Sequence, residues 1–404
     1  GNQSFGGKNL GYYIRGGRNR QTAIYIDGVP VTDASGINLE YDLRLLSVDQ
    51  IEKIEVMKGA SSTLYGTGAA TGVINITLKK STIKDISGSA YITMGTQNTS
   101  DTSKTSAQDF NLGFSVNGTI HKISYMTSLN SSETKGMSEA AGENFEEDMF
   151  SRVNVLQKIG FKPNDQLSFE FFGSYDRIKN TFDNSFDGII ANADDLNNTS
   201  LSEQFRIGFL PKYNYNKGEF AINAGASTIN RKLNITNNWT NSIDAYNYTG
   251  RTISADAFNK YLFNNQLFIV VGMQYQYFDM TQKDAYTDVV REGAKFNLID
   301  PYATLVYNSD FGFNLNVGSR FNTHSEYGNQ IVYNINPSFS FDNFPFKVMA
   351  SYSTAFITPS LYQLYGPYGN LDLTPEENAT AEFGFETQLL DKKLTINAVG
   401  FYRE

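Results

Sequence analysis

The 404-residue chain contains no cysteine, which excludes disulfides, thiolate metal sites and a cysteine nucleophile. Histidine occurs only at His121 and His324, too few for a His-based zinc centre, and neither stands beside a candidate nucleophile. No apolar run reaches the ~18 residues that a membrane-spanning helix needs. That excludes a helical span only, because a membrane barrel shows lipid just one side chain in two and is polar along its lumen. The chain opens at Gly1 without a charged segment and an apolar one behind it, so no signal peptide is read there and a processed or truncated start is expected. A net charge of -9 argues against a nucleic-acid partner.

Aromatics are plentiful, with 25 Tyr and 30 Phe, and they suit strands. From about Asp85 onward the pattern has period two. Phe311, Phe313, Leu315 and Val317 alternate with Gly312, Asn314, Asn316 and Gly318; Phe220, Ile222, Ala224 and Ala226 alternate with polar neighbours; Leu167, Phe169 and Phe171 alternate with Ser168 and Glu170. Such strands have one face on an apolar medium and one on a polar medium. Short turns are expected near Asn117-Gly118, Asn164-Asp165, 216–218, Asn264-Asn265, 308–310, Asp342-Asn343 and Asp391-Lys392, since Asn, Asp and Gly tolerate positive φ. Longer polar loops are expected at 131–149, 179–202, 231–249, 281–296, 323–330 and 357–378. Short turn alternating with long loop is the asymmetry of an outer-membrane barrel. The count is roughly 15 strands, against about 22 in plugged outer-membrane transporters, so a chain lacking about seven C-terminal strands is expected.

The segment from Tyr13 to Lys80 is different: compact, Gly-rich and tightly turned. It reads YIRGG, then YIDGVPVTD, then IEKIEVMKGASSTLYGTGAATGVINITLKK. Strands are expected at Thr22–Ile26, Ile54–Met57 and Val73–Leu78, with Val48–Ile51 as a helix end or turn. GTGAATG lacks the Lys-Ser/Thr ending of a phosphate loop and leads into a strand, so no nucleotide site is read from it. No enzyme signature is present. These motifs, in this order and spacing, resemble the TonB-dependent transporters of the Gram-negative outer membrane, and the resemblance covers nearly the whole chain. It implies an α+β plug domain (1–82) in the lumen of an antiparallel transmembrane β-barrel (83–404). It also implies that Arg15, Glu52, Glu55 and Lys58 form ion pairs between plug and barrel, where a charge left without its partner is costly.

A downstream stretch, QLYGPYGN followed by LDLTPEE, resembles the cobalamin-transporting branch of that family. The implied function is active transport of a large scarce nutrient, cobalamin or another corrinoid, with a ferric siderophore or haem as the alternative. A non-transporting surface receptor or adhesin and a passive porin are the rivals from other classes. Implied partners are the TonB protein with its inner-membrane energising complex, outer-membrane lipid and a surface lipoprotein. Substrate contacts are expected from Gly7, Asn9, Leu10, Ile37, Asn38 and Leu39 at the plug apex and from Tyr362, Tyr365 and Tyr368 at the mouth. The alternative place for the tyrosines is the upper aromatic girdle. Asp183, Asp187, Asp194 and Asp195 cluster in one acidic loop; they are either a solvated surface or hard oxygen ligands for calcium.

Overall fold

A computed structural model describes residues 11–96, 107–136, 147–183, 197–237, 240, 242–341 and 344–404. The first unit is a four-stranded sheet of β1 (Thr22–Ile26), β2 (Val29–Val31), β3 (Ile51–Lys58) and β4 (Gly72–Leu78), ordered β2-β1-β4-β3. Strands β1 and β4 are parallel, with Thr22 opposite Gly72 and Ile26 opposite Ile76. Their sequences, TAIYI and GVINITL, are rich in β-branched residues and mostly buried, as central parallel strands require. The β1–β2 hairpin turns on Asp27 (φ +49°) and Gly28 (φ +80°), the paired positive φ that matches hairpin twist. Two 3₁₀ turns, Leu43–Leu45 and Val48–Gln50, are capped by the Asp42 and Ser47 side chains and deliver the chain to β3.

Between β3 and β4 lies one helical turn, α1 (Ser62–Tyr65), which ends on Gly66 at φ +73°, ψ -161°. That conformation is open essentially to glycine alone. A Cβ there would also stand 2.8 Å from Arg320 Nη2 and 3.1 Å from Gln274 Oε1 of the surrounding wall. The LYG motif therefore reports a close backbone approach between the two units of the fold.

The second unit is a sixteen-stranded antiparallel sheet running from Ser87–Gly95 to Leu394–Arg403. The two-residue strand Asp288–Val289 pairs only with the end of Leu267–Lys283. The other fifteen strands follow in chain order, each hydrogen-bonded to its neighbours. Along Leu267–Lys283 the two faces separate: Val271 and Met273 are 48% and 54% exposed, whereas Gln274 is 1% exposed. Apolar side chains outside and polar ones inside is the membrane-barrel arrangement. Phe161, Phe169, Phe171 and Phe209 stack beside the short turns, as do Phe341, Phe346 and Phe385, forming an aromatic belt at that end.

Three connections differ from the sequence expectation. The first hairpin closes at His121-Lys122, with His121 at φ +54°, and not at Asn117-Gly118. Gly118 lies within a strand because its α-carbon packs against the Asp85 carbonyl, while Asn117 Oδ1 accepts from Thr82 N at 3.0 Å. Most of the expected loop 231–249 is strand: Gly218–Asn237 and Ser242–Leu262 are 20 and 21 residues long, about 65 Å at ~3.4 Å per residue. Polar residues there read as loop, although a strand that rises beyond the membrane needs no apolar face. The expected loop 323–330 is a tight turn between His324 and Gly328.

The largest core cluster straddles both units. Ile24, Ile26, Val31, Leu45, Ile76 and Leu78 of the plug pack with Met126, Leu156, Ile178 and Ile229 of the wall. The wall is thus also a packing partner for the small sheet, which is too small to bury its own apolar surface.

Replacing Gly66 with alanine is expected to destabilise the docked plug by about 1–3 kcal/mol, from positive φ and the Arg320 contact together. The check is the denaturant midpoint for plug release, read by protease cleavage within the first 80 residues and compared with Gly16→Ala. Gly16 also has positive φ but nothing within 4 Å, so equal effects would show that the wall contact contributes nothing.

Candidate functional site

The seam between plug and wall is charged. Asp27, from the β1–β2 turn, accepts Leu78 N at 2.9 Å through one oxygen and Lys158 Nζ at 3.0 Å through the other. Lys158 is buried and also meets Glu170 at 2.9 Å, and its two carboxylates outweigh the cost of burying one ammonium. Asp33 is a hub. Its Oδ1 accepts Ser35 N and Oγ at 2.9 and 2.7 Å, and its Oδ2 pairs with Arg231 Nε of the wall at 2.7 Å. Arg231 also donates to the Ser35 carbonyl at 2.9 Å and lies over the Tyr248 ring at 4.9 Å. On the opposite side Arg15 pairs with Glu382, and Arg20 with Glu376. Burial, and secondarily the neighbouring Arg18, lowers the Arg20 pKa from its ordinary value.

Polar contacts add to the ion pairs of the seam. Tyr41 Oη donates to Gln204 at 2.8 Å, Asn154 Nδ2 donates to the Leu45 carbonyl at 2.6 Å, and Thr67 Oγ1 donates to the Phe356 carbonyl at 2.9 Å. Two spaces remain between plug and wall: one of about 80 Å³ between Tyr12, Asn38, Leu39, Gln276, Phe278 and Thr358, and one of about 660 Å³ beside Asp27, Tyr65, Lys158, Glu170 and Asp256. The first is far smaller than a cobalamin-sized or siderophore-sized solute needs.

At the mouth, the connection after Phe346–Ile357 contains a one-turn helix, α2 (Leu361–Tyr365). Its capping box is shared with the plug. Ser360 Oγ accepts Gln363 N at 3.0 Å and donates to the Ile37 carbonyl at 2.8 Å. Gln363 Oε1 accepts Ser360 N at 3.0 Å and Arg20 Nη1 at 2.9 Å. Leu361 anchors the helix among Phe278, Met280, Phe296 and Leu298, with Tyr362 and Tyr365 against that cluster. Burial raises the pKa of both hydroxyls, keeping them protonated and able to donate at neutral pH.

Ile37, Asn38 and Leu39 form a tight turn at the plug apex, with Leu39 at φ +54°. Asn38 N donates to Glu40 at 2.8 Å, and Thr32 Oγ1 donates to the Leu39 carbonyl. Tyr362 lies 6.4 Å from the Tyr248 ring, and Tyr368 is 98% exposed. The apex turn and α2 thus adjoin, joined by Ser360. Gly7, Asn9 and Leu10 lie outside the described residues, as do Asp187, Asp194 and Asp195; Asp183 is described. Among the described residues no group of three or more His, Asp or Glu side chains gathers as a metal site would.

Of the four residues expected in plug–barrel pairs, Arg15 alone is paired with the described wall. Arg15 reaches the wall, but Glu55 pairs with Lys53 of its own strand at 2.7 Å. Glu52 and Lys58 have no ion pair among the described residues. All three lie on β3, the edge strand of the plug sheet, and are exposed in this structure together with Ile54, Val56 and Met57. The wall-facing carboxylates Asp27 and Asp33, and the wall cations Lys158 and Arg231, were not singled out by sequence reasoning. Their signal was a charge on the lumen side of an alternating strand, such as Lys158 in register with buried Asn154 and Leu156.

Comparison with known proteins agrees with this geometry. Residues 2–73 match the family described as TonB-dependent Receptor Plug Domain. A vitamin B12 transporter of Vibrio cholerae is 25% identical over 94% of this chain and 58% of its own length, and one of Photobacterium profundum is 26% identical over 95% and 59%. The chain therefore spans a little under three fifths of these relatives. A ferric enterobactin receptor of Pseudomonas aeruginosa is 37% identical over 90 residues. A solved structure of that receptor type has a TM-score of 0.76 at 18% identity, covering 96% of this chain and 64% of the other. The siderophore receptor PirA of Acinetobacter baumannii has a TM-score of 0.75 at 19% identity, covering 96% and 63%.

Asp33→Ala removes both the plug turn's acceptor and the carboxylate opposite Arg231, and a loss of about 3 kcal/mol in plug docking is expected. Asp33→Asn keeps an acceptor for Ser35 and should lose less. Denaturant titration followed by proteolysis of the plug tests that order; equal stability of all three proteins would remove the hub assignment.

Proposed function

Because the chain carries the plug and barrel strands of a TonB-dependent receptor of the Gram-negative outer membrane, we propose that it serves energised import of a large, scarce nutrient. The observation that carries this reading is the occupied lumen. A plug held by Asp27–Lys158, Asp33–Arg231, Arg15–Glu382 and Arg20–Glu376 leaves about 80 Å³ beside its apex, ahead of the roughly 660 Å³ beside Lys158 and Glu170, so a large solute arriving at the apex does not pass until the plug moves. Import then needs work on the plug, and the outer membrane has no nucleotide supply. The proposed source is a TonB protein driven by its inner-membrane complex. Ion pairs suit a plug that must hold and then release, since each breaks without a covalent step and water can replace it once the seam opens.

The favoured ligand is cobalamin or a related corrinoid. It is supported by similarity to vitamin B12 transporters along nearly all of this chain. A ferric siderophore is the second reading, favoured by the 37% identity of a 90-residue stretch with a ferric enterobactin receptor. In both readings Ile37, Asn38 and Leu39 form the floor, and Tyr362, Tyr365 and Tyr368 supply flat apolar area with a hydroxyl, which suits an amphipathic ligand. An acidic loop around Asp183, Asp187, Asp194 and Asp195 remains proposed as a calcium site that orders the mouth.

Saturable binding of cyanocobalamin to the full parent protein in detergent is expected, measured beside a ferric-siderophore panel and with or without calcium. Tyr362→Ala should weaken the bound ligand about tenfold, the usual cost of an interface aromatic. Siderophore binding with cobalamin silence would replace the ligand, and uptake that persists without TonB would overturn energised import.

The capping box, whose two side chains also bond the plug, gives a second expectation. Ser360→Ala removes a helix cap and a plug contact together, and should cost about 1–2 kcal/mol. Hydrogen exchange at the Gln363 and Leu364 amides should rise in that variant and also in Arg20→Gln, which touches α2 only from the plug. Unchanged exchange in Arg20→Gln would show that the loop helix and the plug are independent.

A further inference from the structure

The spaces in the seam meet at two tyrosines. Tyr25 and Tyr65 are the residues common to the linings of the upper space, of about 80 Å³, and the lower one, of about 660 Å³. The lower space shares Ser168, Glu170 and Leu210 with a further one of about 610 Å³, which reaches the short turns at His121-Lys122 and Asn164. The two tyrosines therefore stand between the plug apex and a vestibule at the short-turn end. Alternation along β1 puts Tyr25 there: Ile24 and Ile26 join the core cluster, so the residue between them faces the other way. The Tyr25 and Tyr65 rings meet edge to face, with centroids 5.0 Å apart. Tyr25 Oη donates to the Tyr65 carbonyl at 2.7 Å, and Asn75, in register with Tyr25, donates through Nδ2 to Tyr65 Oη at 2.9 Å.

Both of those bonds lie within the plug. The wall touches the pair through Gln274, whose Nε2 is 3.4 Å from Tyr25 Oη, a long hydrogen bond. Around α1 the plug is fastened more firmly: Gly66 packs on Arg320, Thr63 bonds Asn334, and Thr67 bonds the Phe356 carbonyl. Arg320 is itself buried and held by Asp300 at 2.8 Å. The weak contact lies on one buried row of the wall. Phe278 and Gln276 line the upper space, Gln274 meets Tyr25, and Asp256, directly opposite Gln274 in register, lines the lower space. We propose that Tyr25 and Tyr65 close the import path, and that the path descends this row from Phe278 to Asp256 into the space beside Lys158. This rests on the energised-import reading above. Packed rings form a constriction that needs no ion pair to stay shut. Moving Tyr25 away from Tyr65 joins the spaces while the α1 contacts with Asn334 and Arg320 remain.

The test is the ion conductance of the full parent protein in planar bilayers. Wild type and Tyr65→Phe, which keeps the ring, should stay closed, whereas Tyr65→Ala should carry about tenfold more current. The route is read with Ser168→Cys, which places a thiol in the lower space: a bulky maleimide added from the short-turn side should block the Tyr65→Ala current. An inserted, folded Tyr65→Ala that stays closed would overturn the closing role of the pair. Current that the maleimide leaves untouched would mean that the plug opens elsewhere, and would overturn the route. Insertion is scored by heat-modifiable gel mobility, and Tyr25→Ala beside Tyr25→Phe is the second pair of variants should Tyr65→Ala fail to insert. Wild-type uptake of cyanocobalamin or ferric enterobactin, whichever binds, separates the two readings. Uptake that persists without TonB removes energised import, whereas TonB-dependent uptake beside a closed Tyr65→Ala removes the tyrosine closure alone.

Discussion

Every backbone N–H and C=O that lies in hydrocarbon has to find its partner within the protein, and the rest of this structure follows from that requirement. The inner strands satisfy it by pairing in chain order on both edges, each antiparallel to the last, while Ser87–Gly95 and Leu394–Arg403 at the two ends of the sheet pair on one edge. Pairing in this way curves the sheet around a space lined by the polar half of every strand. That polar lining then needs partners of its own. The plug supplies them with Asp27 for Lys158, Asp33 for Arg231, and Arg15 for Glu382.

The same logic explains why the small sheet is stable where it lies. Its central strands are buried, yet β3 is exposed at the edge, and its core reaches into the wall through Ile24, Ile76 and Leu78 against Leu156 and Ile178. Apolar packing and ion pairs alternate along the same wall strands, Leu156 beside Lys158 and Ile229 beside Arg231. The two kinds of contact respond differently to work. Packing is lost gradually with area, whereas a charge pair is lost once water reaches it.

Strand number and facing were legible because they depend on local alternation: Phe169 against Ser168, or Phe313 against Asn314, carries its own evidence. The plug strands were legible because Asp27-Gly28 and the glycines after Lys58 dictate turns. The seam was not legible. Asp27 and Lys158 are 131 residues apart, and Arg20 and Glu376 are 356 apart, so no window of sequence shows either pair. The described seam draws on isolated charges spread over the chain, such as Lys158 and Arg231, which no local motif marks. Gly118 misled differently, because close approach to the Asp85 carbonyl and a turn ask for the same residue.

The helix α2 has both bonds of its capping box within the loop, and the same two side chains also bond the plug, Ser360 to Ile37 and Gln363 to Arg20. This sets an uneven freedom for the surface of the mouth. Solvated Tyr368 and Leu371, which lie between α2 and the Glu376 that pairs with Arg20, can be exchanged with little effect on the plug, so the outward face is open to new ligands or to escape from antibodies. Ser360 and Gln363 have no such latitude, since altering either disturbs two domains at once. Recognition can therefore diversify within a few residues of a contact that cannot.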